Sequence, residues 1–74
     1  MYNIYNEVLF AIRRNDLPMT EYFCNMIPNI NARLDNGYTL LQEAYNINND
    51  DIVQLLLDKG ADISILFEKD NNND

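Results

Sequence analysis

A chain of 74 residues makes at most one small domain, and at this length folding hides only about 60% of the surface of the unfolded chain. With 47% apolar and 23% charged residues the composition is that of a folded protein and excludes a wholly disordered one. Five basic against twelve acidic residues give a net charge of −7, which disfavours direct contact with nucleic acid or an anionic membrane.

In chain order, Asn6 is the expected cap of a first helix running to about Arg14, with Val8, Leu9, Ala11 and Ile12 apolar. Asn15 and Asp16 turn the chain, and Leu17-Pro18 opens a second helix with proline in its first turn, where the missing N–H costs nothing. Met19, Tyr22, Phe23, Met26 and Ile27 give this helix its apolar side, and Pro28 ends it. Leu34-Asp35-Asn36-Gly37 carries an Asn-Gly tight-turn signal. A third helix is predicted from Thr39, its N-cap, to Asn46, with Leu40, Leu41 and Ala44 as apolar contacts. Asn48 and Asn49 form the next turn. The most periodic segment, Asp51 to Gly60, crowds Ile52, Val53, Leu55, Leu56 and Leu57 onto one broad side, and Gly60 closes it. Beyond it come the apolar run Ile63, Ile65, Leu66 and Phe67 and a polar tail, 68–74, expected to fray.

The chain aligns with itself at a shift of 33 residues without a gap: Val8 on Leu41, Ala11 on Ala44, Asn15 on Asn48, Phe23 on Leu56, Ile30 on Ile63. That is the period of ankyrin repeats. The stretch from Asn31 through Ala44, and then Ile52 to Ile63, closely resembles the ankyrin consensus in Thr39, Ala44 and the Gly60-Ala61-Asp62 exit. Asn29 to Ala32 is similar to the exit of a preceding repeat. The resemblance implies an all-α fold of two stacked repeats, four short helices, with one hairpin-like turn near 33–38. Repeat one would occupy about 1–32 and repeat two about 33–65 of a single domain over 1–67, followed by a flexible acidic, Asn-rich tail over 68–74. The sequence departs from the family pattern at Leu40, which replaces Pro, at Gln42, which replaces His, and at Leu34, Tyr45, Asn48 and Asn49. The first repeat lacks the hairpin lead-in and is expected to act as an N-terminal cap. Two repeats are fewer than such stacks ordinarily need.

The family resemblance places a recognition surface on hairpin tips and on the exposed side of each first helix. Carried over by position, it holds Arg33, Asp35, Asn36, Tyr38, Glu43, Asn46 and Ile47, with Tyr38 the best single anchor. In the first repeat Met1, Tyr2, Asn3 and Tyr5 lie near the equivalent place, and Arg13 and Arg14 are expected to complement the end of their helix. Ile63, Ile65, Leu66 and Phe67 have two readings: a cap folding back over the stack, or a contact with a partner or second copy. Catalysis finds little support, because there is no His and the one thiol, Cys24, aligns with the core position of Leu57. No calcium loop, metal-ligand set or phosphate-binding glycine loop is present, and no cofactor is implied.

These features describe a non-catalytic protein-interaction module of a reducing, cytosolic setting, with neither signal peptide nor membrane span. A stand-alone inhibitor or adaptor with a basic protein partner is the leading form. The alternatives are a self-associating unit, such as a homodimer through its repeat ends, and an acidic mimic of nucleic acid that occupies the site of a basic enzyme. Thirteen asparagines point to an AT-rich genome such as that of a virus, mobile element or intracellular microbe.

Overall fold

The computed structural model describes residues 2–67, and the tail expected over 68–74 lies outside them. Four α-helices follow one another: α1 (Ile4–Arg13), α2 (Leu17–Cys24), α3 (Leu40–Asn46) and α4 (Asp50–Asp58), then a short 3-10 segment over Ile63–Phe67. Among the described residues there is no strand. The helices form two antiparallel-type pairs, α1 with α2 and α3 with α4, stacked α1 on α3 and α2 on α4.

The 33-residue period governs backbone geometry as well as residue type. Asn15 and Asn48, one period apart, both adopt positive φ, 58° and 61°. Each closes its helix in the same way. The Asn15 N–H donates to the Ile12 carbonyl (3.0 Å) and the Asp16 N–H to the Ala11 carbonyl (3.0 Å). In the second repeat the Asn48 N–H reaches Tyr45 (3.0 Å) and the Asn49 N–H reaches Ala44 (3.3 Å). This paired bonding uses carbonyls a helix end otherwise leaves orphaned, and asparagine tolerates the left-handed conformation it demands. Gly60, at φ 101°, repeats the device after α4. The next residue in each turn caps the following helix: Asp16 accepts from the Met19 N–H and Asn49 from the Ile52 N–H. Thr39 and Gln42 make a reciprocal capping box at the start of α3.

Two helix boundaries differ from the sequence expectation. The cap of α1 is Asn3, whose side chain accepts from the Tyr5 N–H at 2.9 Å, and Asn6 lies exposed within the first turn. The earlier start adds a turn that brings Tyr5 against the core. At the other end, α2 stops at Cys24 rather than running to Pro28. Proline disfavours helical geometry in the residue before it, and Ile27 instead tucks against the core while the Asn29 N–H donates to the Tyr5 hydroxyl (3.1 Å).

All four helices contribute to one apolar cluster: Val8, Ile12, Cys24, Leu40, Leu41, Ala44, Ile52 and Leu56. Ala11 and Ala44 are buried where the helices of a pair approach. Thr20 is fully buried and is satisfied by donating its hydroxyl to the Asp16 carbonyl at 2.7 Å. Met19, Tyr22 and Met26, expected on the packed side of α2, are exposed, and Thr20 and Cys24 take the buried positions. The apolar side of α2 is wider than the strip its own neighbours cover.

Asn48→Ala forces a Cβ residue into left-handed geometry and should cost about 1 kcal/mol in urea unfolding, whereas Asn48→Gly should cost less. Burial pushes the Cys24 thiol up, and Lys59 nearby only partly offsets it. An acid raised on folding ionises first in the unfolded chain, so stability should fall as pH climbs through the ordinary thiol range. Native Cys24 should accordingly react with a disulfide reagent much more slowly than the urea-unfolded chain, and equal rates would contradict its burial.

Candidate interaction surface

The hairpin at 33–38 is built by short local bonds. The Leu34 N–H donates to the Tyr38 carbonyl (2.7 Å) and the Gly37 N–H to the Leu34 carbonyl (2.8 Å), with Gly37 at φ 89°. The Arg33 guanidinium donates to the Gly37 carbonyl at 2.8 Å, and the Asn36 side chain accepts from the Tyr38 N–H at 3.0 Å. Each of these bonds stiffens the loop that carries Tyr38, a residue 47% exposed. A rigid aromatic held outward loses little entropy on contact with a partner.

Tyr38 forms one wall of a groove of about 200 Å³, which it shares with Gln42, Tyr45, Asn46, Ile65 and Leu66. The structure therefore joins two sets of candidate residues that lie far apart in sequence. Ile65 and Leu66 pack inward against the core, while Ile63 and Phe67 face outward. The apolar run after α4 divides into a half that covers the stack and a half that does not. Asp62 opens this segment, and hydrogen bonds from Ser64 hold its carboxyl below the usual carboxylate range.

The remaining candidates scatter. Ile47 lies at the far end of α3, beside Asn15 and Asn49 in a polar groove. Asp35 lines a different hollow with Tyr2, Tyr5 and Pro28. Met1 lies outside the described residues.

Glu43 needs correction: expected on the exposed side of α3, it is only 8% exposed. Its two oxygens accept from Arg13 (3.4 Å) in the first repeat and from Asn36 Nδ2 (2.8 Å) in the hairpin. A carboxylate at this depth is tolerable because it is paired and hydrogen-bonded. Glu43 is a brace between repeats, and Arg13, expected to serve its own helix end, is the other half of it. Further polar ties cross the same seam. Asn49 Nδ2 donates to Asn15 Oδ1 (2.8 Å), and Asn31 Oδ1 accepts from the Asp62 N–H (2.8 Å). Lys59 reaches Asn25 and Glu21. These were hidden in a composition that reads as genomic bias; the pairs Asn15–Asn49 and Asn31–Asp62, about one period apart, are the trace that could have revealed them.

A family model of ankyrin repeats (3 copies) matches residues 5–66. The chain belongs to the ankyrin repeat family. It is similar to an ankyrin repeat protein of Acanthamoeba polyphaga mimivirus, 39% identical over 61 residues that make up 82% of this chain and 8% of that protein. It is also similar to an ankyrin repeat protein of fowlpox virus (strain NVSL), 42% identical over 64 residues, 86% of this chain and 15% of that one. The chain thus spans only a small part of the length of these curated relatives. No solved structure matches it significantly. Among the described residues no helix is long and apolar enough to cross a membrane.

The ankyrin brace is directly testable. Glu43→Ala leaves Arg13 and Asn36 without their acceptor and should lower unfolding stability by about 1–3 kcal/mol. Arg13→Ala, at a half-exposed guanidinium, should cost no more than about 1 kcal/mol. A double-mutant cycle should return a positive coupling between the two, and strict additivity would show that the pair does not act as a brace.

Proposed function

We propose that this ankyrin domain is a non-catalytic protein-binding module that engages its partner through the groove between Tyr38, Tyr45, Asn46 and the segment at Ile65 and Leu66. The observation that carries the reading is the groove itself: two exposed tyrosines line it together with Ile65, Leu66 and the polar Gln42 and Asn46, on a hairpin and a helix held by local bonds. Clustered, preorganised aromatics beside apolar surface are the usual anchors of protein interfaces. The exposed residues Ile63 and Phe67 extend the apolar area at its edge. With a net charge of −7, the protein steers a basic partner toward itself more readily than an acidic one. The chemistry present supports binding over catalysis. The sequence has no His, and its one thiol is buried with its ionisation suppressed. An inhibitor or adaptor acting in the host cytoplasm accords with the viral origin of the two relatives.

Affinity capture from cells that naturally contain the protein, with the wild type beside Tyr38→Ala and Tyr45→Ala, tests the surface. Once a partner is identified, Tyr38→Ala should weaken its binding by roughly 30-fold or more, the effect of losing an aromatic anchor of about 2 kcal/mol. Asp35→Ala, outside the groove, should have a smaller effect. Undiminished binding by both tyrosine variants would place the functional surface elsewhere.

A further inference from the structure

The first repeat exposes an apolar face on the side away from the second. Phe10 is 64% exposed, Met19 43% and Tyr22 56%. Between α1 and α2 on this side runs a groove of about 310 Å³ whose walls include Glu7, Phe10, Arg14, Met19 and Phe23. The repeat period identifies the face. One period on from Phe10, Met19 and Phe23 stand Glu43, Ile52 and Leu56, all buried against the first repeat. It is therefore the same helix-packing face, covered in repeat two and bare in repeat one. Repeats stack through faces of this kind, and this one carries the exposed Phe10 at its centre.

We propose that this face binds a second copy of itself, giving a two-fold symmetric dimer through antiparallel α1 helices. The argument rests on charge placement. Glu7 and Arg14 flank Phe10 on the same side of α1, three residues before it and four after it. Neither belongs to an ion pair within the chain among the described residues. An antiparallel crossing centred between Phe10 and Ala11 sets Glu7 against the partner's Arg14, and Arg14 against the partner's Glu7. The pattern is thus complementary to itself under two-fold rotation, as an isologous interface requires. Phe10 and Met19 of the two copies meet between the charges.

Head-to-tail stacking has no such match. Among the described residues, the groove at the opposite end offers from α3 only uncharged Gln42, Tyr45 and Asn46, none of which forms an ion pair with Glu7 or Arg14. Ile65 and Leu66 already cover part of that end. Head-to-tail contacts would also generate open filaments rather than a closed pair.

The anchors are few, so the dimer is weak, with a Kd on the order of 100 µM. Sedimentation velocity on the chain from about 10 µM to about 1 mM, bracketing that Kd, should show its average mass rising from near 8.7 kDa toward, and never beyond, twice that value. Phe10→Asp should keep it monomeric. Glu7→Arg and Arg14→Glu should each weaken association about tenfold or more, by opposing like charges at two symmetric places. The double variant carrying both exchanges restores both pairs and should recover the wild-type constant. Circular dichroism melts confirm that each variant is folded; should Phe10→Asp fail to fold, the exchange series decides alone. A monomer at the highest concentration would overturn the proposal, as would growth beyond a dimer. So would a double exchange no stronger than the singles, or dissociation by Tyr45→Asp with Phe10→Asp silent.

Discussion

Everything in this protein depends on the seam between its two helix pairs. The fully hidden apolar residues, Val8 and Ile12 on one side and Leu40, Ala44, Ile52 and Leu56 on the other, belong to one shared cluster. The polar ties sit along the same junction: Arg13 with Glu43, Asn15 with Asn49, Asn31 with Asp62. Apolar burial supplies the attraction, and the polar pairs fix the register in which the repeats meet. A shift of one repeat against the other would strand a buried carboxylate, which is a far larger loss than the few contacts a slipped packing could recover.

The turns serve that seam. A left-handed asparagine at the end of each first helix reverses the chain within two residues and leaves the next residue ready to cap the following helix. Because the turn is repeated, both pairs have the same internal geometry, and two equal shapes can stack with the same faces in contact. The hairpin contributes differently. Asn36 connects it to Glu43, so the loop that displays Tyr38 is fastened to the brace between repeats. The groove at Tyr38 and the seam therefore share a residue network, and a substitution in one reaches the other.

Much of this was legible in the sequence, and the failures are instructive. The period, the turns at Asn15-Asp16 and Asn48-Asn49, the Thr39 cap and the Gly60 exit are local instructions, written in residue types with narrow conformational preferences. The side of α2 that carries Met19 and Tyr22 could not be read correctly, because periodicity marks every apolar position alike. It does not distinguish a strip that meets a neighbouring helix from one left bare. Glu43 failed for the opposite reason: a charged residue on a short helix reads as solvent-facing, and only the spatial approach of Arg13 and Asn36 makes its burial affordable. Asn3 and Asn6 are equally good caps, and the choice between them is made by where Tyr5 must go. The groove at Tyr38 draws on Ile65 and Leu66, which no local pattern connects to the hairpin.

The elongated shape, 38 by 29 by 20 Å, has a consequence of its own. A globule gains interior faster than exterior as its chain lengthens, but a stack grows by translation, and its thickness never changes. Burial arrives in fixed instalments, one junction for each added neighbour. Within residues 2–67 two units share a single junction, so each has half of one, whereas a unit inside a long array has two halves. For the two repeats described, one more surface of the right shape would double the number of junctions. Few folds offer so large a return for acquiring a neighbour.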